Sequence, residues 1–287
     1  MSEAQGSTKM TETMLNTTAH VLEREGCPLH YWLSGPEGRP LVVFTHGLCI
    51  DHRAWKYQLP VIAQTYRVLT WDVRGQGLSQ PMGRTFSMHL AAQDLLAIMD
   101  ALGYAQAVFV GHSNGTYIHQ ELVLRSPQRV QALVMTDGTC ITWPRSRVET
   151  WFIHNAAKAV RLFPYETLKK AGLPNDSARQ DVQAYIYEAF SMISRRDYVT
   201  LCERVAACVR SMPGYRITQP MLLVHGEQDR LGDIAKIAPQ WAAREANCRY
   251  EVIPNASHMA MMDNPEHYNR LLLDFLARWA PVTPAGQ

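Results

Sequence analysis

Apolar residues follow two rhythms along this chain. Short apolar runs occur at residues 41–44 (Leu-Val-Val-Phe), 66–72, 107–110 (Ala-Val-Phe-Val), 130–135, 221–224 and 250–253. Runs of this length suit strands buried on both faces of a parallel sheet. Between them lie segments with helical spacing. Residues 87–102 place Leu90, Leu95, Ile98, Met99 and Leu102 at such intervals. Residues 114–125, 234–245 and 266–279 also read as helices, and 55–64 as a shorter one. Near the start, 20–25 and 29–34 alternate weakly around Gly26-Cys27-Pro28, a strand–turn–strand signal. Alternation of strand and helix predicts an α/β fold, a mostly parallel sheet with helices on both faces.

The rhythm breaks after Gly138 and resumes near Ile217. In between, helical patterns dominate (148–162, 180–193, 196–209), punctuated by Pro144, Pro164, Pro174 and Pro213. The expected organisation is a sheet core of residues 19–138 and 217–287, with a helical insertion at 139–216. Residues 1–18 are rich in Ser, Thr, Glu and Gln and read as a disordered or extended tail. They lack the basic start and apolar stretch of a secretory leader.

Composition narrows the class. The 287 residues are 47% hydrophobic and 19% charged, with a net charge of +2. This is ordinary globular composition with no basic stripe, so nucleic acid is not an expected partner. No apolar run approaches the ~18 residues that signal a membrane span. The six cysteines are scattered and form no CxxC pair, so neither a disulfide framework nor zinc is signalled. Reduced thiols and a cytoplasmic location are the expectation.

The chemistry centres on Gly111-His112-Ser113-Asn114-Gly115. The pattern G-x-S-x-G is weak alone, but here it follows a predicted strand and opens a predicted helix, as a nucleophile elbow requires. The bland alternative is a turn with a capping serine. A serine hydroxyl needs a base. His258 lies in a loop between the last strand and the last helix and can reach the carboxyl edge of the sheet. His46 ends a strand and His112 sits on the elbow, where adjacent side chains diverge. His225, His119 and His154 fall at a strand end or in helical patterns. All five read as structural or surface histidines.

The base needs an acid to hold its tautomer. Asp229 follows the strand at 221–224 through Gly226, and Asp137 ends the strand at 130–135; Asp229 is favoured, and Glu227 reads as a loop carboxylate. Oxyanion donors are expected from the backbone N–H groups of Asn114 and of Leu48, in the His46-Gly47-Leu48-Cys49 turn. No histidine–carboxylate cluster has ligand spacing such as HExxH, so no metal or organic cofactor is expected.

These elements together resemble the α/β-hydrolase superfamily. The resemblance rests on His46-Gly47, Asp72-Val73-Arg74-Gly75-Gln76-Gly77-Leu78-Ser79, the serine elbow, Gly226 with Asp229, and Ser257-His258 before Asn264-Pro265. It covers about residues 20–280 and is closest to the esterase, lipase-like and C–C hydrolase branch. It implies that the helical insertion is a cap over the active site. Asn114-Gly115-Thr116 departs from the Met-Gly-Gly of many relatives. Serine at the nucleophile position argues against epoxide hydrolases and haloalkane dehalogenases, which attack with aspartate.

The expected function is hydrolysis of a carboxylic ester or lactone through an acyl-enzyme, on a small, apolar substrate. C–C, thioester, amide and perhydrolytic chemistry use the same triad, and a non-catalytic receptor on this fold is the rival from another class. Trp143, Trp151, Phe152, Phe163, Tyr165, Tyr185, Tyr187, Phe190 and Tyr198 in the insertion suggest either an apolar pocket or the small domain's own core. Met259, Met261 and Met262 read as core, with one as a candidate wall of the site.

Overall fold

The computed structural model describes residues 16–282. Its centre is a single eight-stranded sheet in the order β1-β2-β4-β3-β5-β6-β7-β8. The strands are β1 (Thr18–Arg24), β2 (Cys27–Ser34), β3 (Leu41–Thr45), β4 (Arg67–Trp71), β5 (Ala107–His112), β6 (Val130–Thr136), β7 (Met221–Gly226) and β8 (Cys248–Ile253). β1 and β2 pair antiparallel, β2 runs antiparallel to β4, and every other neighbouring pair is parallel.

The continuous apolar runs are explained by the two faces they serve. Successive strand residues point to opposite sides. Leu41, Val43, Ala107 and Phe109 enter one core, while Val42, Phe44, Val108 and Val110 enter the other. A polar residue at any of these positions would be buried, so no alternation is seen.

Helices α1 (Leu59–Ile62), α2 (Met88–Ala101) and α3 (Asn114–Arg125) follow in the first half. α2 starts where expected because the Ser87 side chain accepts from Leu90 N–H, and its Leu90, Leu95, Ile98 and Met99 are buried. The helix expected over 55–64 does not form. The chain makes a 3₁₀ turn at His52–Trp55 and then the single turn of α1. Pro60, with no N–H, can open a helix but not carry one through from before.

Between β6 and β7 the described chain is helical: α4 (Arg147–Ala159), α5 (Tyr165–Ala171), α6 (Leu173–Asp176), α7 (Gln180–Ser191) and α8 (Arg195–Ala207). A capping box of Ser146 and Glu149 starts α4, and Ser194 caps α8. The short α5 and α6 are additions to the sequence reading. After β7 come α9 (Ile234–Arg244), α10 (Ala260–Asp263) and α11 (Pro265–Trp279). Of the tail expected over residues 1–18, the first fifteen residues lie outside the described residues, and Thr18 already begins β1. The six cysteines are unpaired, and no described helix is long and apolar enough to cross a membrane.

Candidate active site

The candidate catalytic side chains gather at the carboxyl edge of the sheet, where open α/β sheets bind ligands. β5 ends at His112, and the chain turns at Ser113 into α3. Ser113 sits at φ 49°, ψ −115°, a conformation that L-residues avoid. Two glycines make the turn possible. A Cβ on Gly115 would stand 2.3 Å from the Thr45 carbonyl oxygen, and one on Gly111 would stand 2.8 Å from His119 Nδ1. The start of α3 thus lies directly on the backbone that follows β3. The Ser113 N–H donates to the Thr136 carbonyl at 2.8 Å, and Thr116 Oγ1 donates to the Ser113 carbonyl at 2.7 Å.

His258 Nε2 lies 2.9 Å from Ser113 Oγ, and its Nδ1 lies 3.0 Å from Asp229 Oδ2. Facing a carboxylate, Nδ1 carries the proton. Nε2 is then free to accept from the serine hydroxyl. Asp229 Oδ1 accepts from the Leu231 N–H at 2.8 Å, which fixes the second oxygen. Burial disfavours an imidazolium here. The Asp229 hydrogen bond, with the negative charges of Asp229, Asp137 and Asp176, outweighs it and holds the His258 pKa above the ordinary imidazole value.

Asp137 is also fully buried and within reach of this pair: ligand atoms of Asp137, Asp229 and His258 lie within 4.8 Å of one another. Its oxygens accept from the Gly226 N–H at 2.8 Å and the Ala260 N–H at 3.1 Å. Burial pushes its carboxyl well above the usual range, Asp229 adds to this, and His258 and the two N–H groups oppose it. These three residues are the described cluster that could hold a metal ion. Their polar atoms are already engaged with each other and with the backbone, so an ion would have to displace those bonds.

The Leu48 and Asn114 N–H groups meet no partner among the described residues. The loop after β3 is braced from below. His46 Nδ1 donates to the Gly47 carbonyl at 2.7 Å, and its Nε2 accepts from the Val73 N–H at 2.9 Å. The Gly47 carbonyl is thereby fixed, and with it the direction of the Leu48 N–H across the same peptide plane. Gln76 Oε1 accepts from the Cys49 N–H at 2.7 Å, and Asp72 Oδ1 from the His52 N–H at 2.8 Å. The Asp72–Ser79 motif is therefore the support of this loop. Gly47 must stay bare, because a Cβ there would lie 2.6 Å from His112 Nδ1 and 3.2 Å from Ser113 Cβ.

The other histidines weighed as bases have structural partners. His112 Nε2 donates to the His258 carbonyl at 2.8 Å, and burial first, then the neighbouring His258, drives its pKa well down, so it stays neutral. His119 meets Thr45, His154 the Val209 carbonyl, and His225 both Gly226 and Tyr250.

A cavity of about 460 Å³ opens on Ser113 and His258. Leu48, Ile50, Tyr117, Ile186, Phe190 and Met259 supply much of its apolar wall, so one of the three methionines does face the site. Of the insertion's aromatics, Phe190 and Tyr198 line it, while Trp151, Phe152 and Phe163 are 64%, 66% and 51% exposed on the outer surface. The sequence reading missed Asp176 and Tyr117 in the wall. Tyr117 follows the elbow on α3 and could have been found from helical spacing, whereas no local pattern marks Asp176.

Comparison with known proteins agrees with this architecture. Residues 40–265 match the family model described as alpha/beta hydrolase fold, and the chain belongs to that family. It is 25% identical to epoxide hydrolase 3 of Xenopus tropicalis, over 94% of this chain and 82% of that protein. It is 24% identical to 3-oxoadipate enol-lactonase 1 of Acinetobacter baylyi, over 89% and 96%. The solved enol-lactonase of Burkholderia xenovorans superposes with a TM-score of 0.77 at 26% identity, covering 90% of this chain and all of that one. Family and relatives together support a hydrolase.

Proposed function

We propose that this chain hydrolyses carboxylic esters, lactones included, through an acyl-enzyme formed on Ser113. The observation that carries the reading is the continuous contact Ser113 Oγ–His258 Nε2 and His258 Nδ1–Asp229 Oδ2, at 2.9 and 3.0 Å. His258 takes the serine proton as Ser113 attacks the carbonyl, then returns it to the leaving alcohol. Asp229 holds the tautomer and stabilises the imidazolium. The Leu48 and Asn114 N–H groups receive the oxyanion, helped by the N-terminal end of α3. Water then attacks the acyl-enzyme by the same proton route. The helical insertion at 139–216 acts as the cap that closes the mainly apolar cavity over the substrate.

Epoxide hydrolase chemistry, suggested by one group of relatives, fits less well. The resemblance assigns those enzymes an aspartate nucleophile, and Ser113 stands in that place. C–C, thioester and amide substrates would use the same residues and differ only in the leaving group.

An organophosphonate should label the protein once, on the peptide that contains Ser113, and abolish turnover of p-nitrophenyl butyrate. Ser113→Ala should lose both labelling and turnover. Labelling elsewhere, with Ser113→Ala fully active, would overturn the mechanism. Labelling at Ser113 without turnover of any ester would favour the receptor reading.

A further inference from the structure

The wall of the cavity carries one carboxylate that the mechanism above does not use. Asp176 closes α6, on the insertion, and lines the same cavity as Ser113 and His258. Its backbone carbonyl accepts from the Met259 N–H at 2.9 Å, so its position is set directly against the base. The flanking residues tighten this seat: Ser177 Oγ donates to Asp263, and Arg179 Nη1 donates to the Met262 carbonyl at 2.7 Å.

The side chain of Asp176 is left without a partner. Among the described residues it accepts no hydrogen bond and pairs with no lysine or arginine. The charges that reach it are those of His258 and Asp229. Burial, the largest influence, raises its carboxyl above the ordinary value, Asp229 adds to the rise and His258 opposes it. The other charged residue in the wall, Lys169, is already bound to Glu166 at 2.6 Å and lies over the Tyr165 and Tyr187 rings. The cavity therefore offers a substrate an apolar surface and one unpaired carboxyl acceptor.

We propose that Asp176 is a specificity-determining residue, accepting a hydrogen bond from a hydroxyl or amide N–H on the substrate and turning away esters that carry a carboxylate. Asp176 is partly exposed, and a carboxyl group that lines the cavity without a protein partner gains from a donor that arrives with the ligand and displaces water. An anionic substrate would bring a like charge into the same low-dielectric space. The substrate class is thus a neutral ester or lactone, apolar in bulk, with a donor near the scissile carbonyl. This inference rests on the ester-hydrolase reading above for its turnover arm alone.

The test compares p-nitrophenyl esters of butyrate, 3-hydroxybutyrate and hemisuccinate, each corrected for uncatalysed hydrolysis. The parent protein should prefer the hydroxylated ester over the butyrate by about tenfold or more in kcat/KM, as for one hydrogen bond to a charged acceptor, and should turn over the hemisuccinate slowest. Asp176→Asn should relieve the discrimination against the hemisuccinate. Asp176→Ala should also erase the preference for the hydroxyl. Unchanged ratios in both variants, or an equal loss on all three esters, would overturn the inference. A second arm measures the affinity of the three esters for Ser113→Ala, which does not depend on turnover. The hydroxylated ester should bind tightest, and the order should collapse in Ser113→Ala/Asp176→Ala. If that order holds but no ester is turned over, the hydrolytic reading fails and the role of Asp176 stands. Equal binding of all three esters removes Asp176 and leaves the hydrolytic reading intact.

Discussion

Asp137 and Asp229 follow neighbouring parallel strands, yet His258 Nδ1 bonds to Asp229 at 3.0 Å while Asp137 turns both oxygens to the backbone N–H groups of Gly226 and Ala260. The two carboxylates have divided one task. Asp229 meets the imidazole of His258, and Asp137 ties the strand end before Asp229 to the chain just after His258.

Replacing each by its amide should separate these roles. Asp229→Asn should stay folded and lose about four orders of magnitude in kcat, the size of the tautomer effect in serine proteases. Asp137→Asn keeps an acceptor for Gly226 but sets an NH₂ group against the Ala260 N–H. It should cost about 1–3 kcal/mol of stability and leave kcat within about tenfold of the parent. Thermal melts and ester turnover measured side by side decide this. A dead Asp137→Asn beside a live Asp229→Asn would exchange the assignments and leave Ser113 and His258 in place.

The pH profile follows from the raised pKa of His258. The base must be neutral to act, so kcat/KM should fall as pH drops through the folded-state value. That acid limb should lie above the ordinary imidazole pKa of about 6.5. The negative charges of Asp229, Asp137 and Asp176 hold it there, against burial and beside neutral His112. Asp176→Asn removes one of them without touching the Asp229 contact. Its limb should move to lower pH, and a shift to higher pH contradicts the electrostatic account.

Gly115 tests the elbow. A methyl group at this position meets backbone oxygens at 2.3 and 2.8 Å, which no side-chain rotation can relieve. Gly115→Ala should therefore cost about 3 kcal/mol or more, at the upper end for overpacking. Denaturant unfolding gives the value, and a change below 1 kcal/mol, of the order of ordinary surface substitutions, would refute the close approach of α3 to the chain after β3.

Asn114 predicts the opposite sign. It is 3% exposed, and both polar atoms of its carboxamide lack partners. Only its backbone N–H is asked to bind the oxyanion. Asn114→Leu, which keeps the branched four-atom skeleton with bulkier ends that the adjoining cavity can take, should raise stability by about 1 kcal/mol by removing an unsatisfied buried group. The melting temperature should climb about 2 °C, with ester turnover retained within a few-fold. Lower stability would show that the amide has a role the static contacts do not reveal.

Much of this was legible from sequence because it is local. Ser113 declares itself through two glycines that the strained turn demands, six strands through short apolar runs, and β1 and β2 through weak alternation about a turn. Other features depend on distant contacts. The helix expected at 55–64 is interrupted ahead of Pro60, a local signal that apolar spacing outweighed. Trp151 and Phe152 lie on α4, where composition alone could not tell an inner face from an outer one, and α4 buries no residue at all. Asp176 carries no motif. Its meaning comes from where α6 meets the loop of His258, a contact between segments far apart in the chain.

The helical segment between β6 and β7 is stitched to the loop after β3 and to the loop of His258. The Tyr185 hydroxyl exchanges hydrogen bonds with Asp51, past the Leu48 turn, while the Asp176 carbonyl holds Met259, next to the base. If the insertion works as the proposed cap, lifting it off the cavity breaks both contacts, so the turn of Leu48 and the loop of His258 lose a brace at the moment the cavity opens. On that reading, opening the site and disarming it are one event.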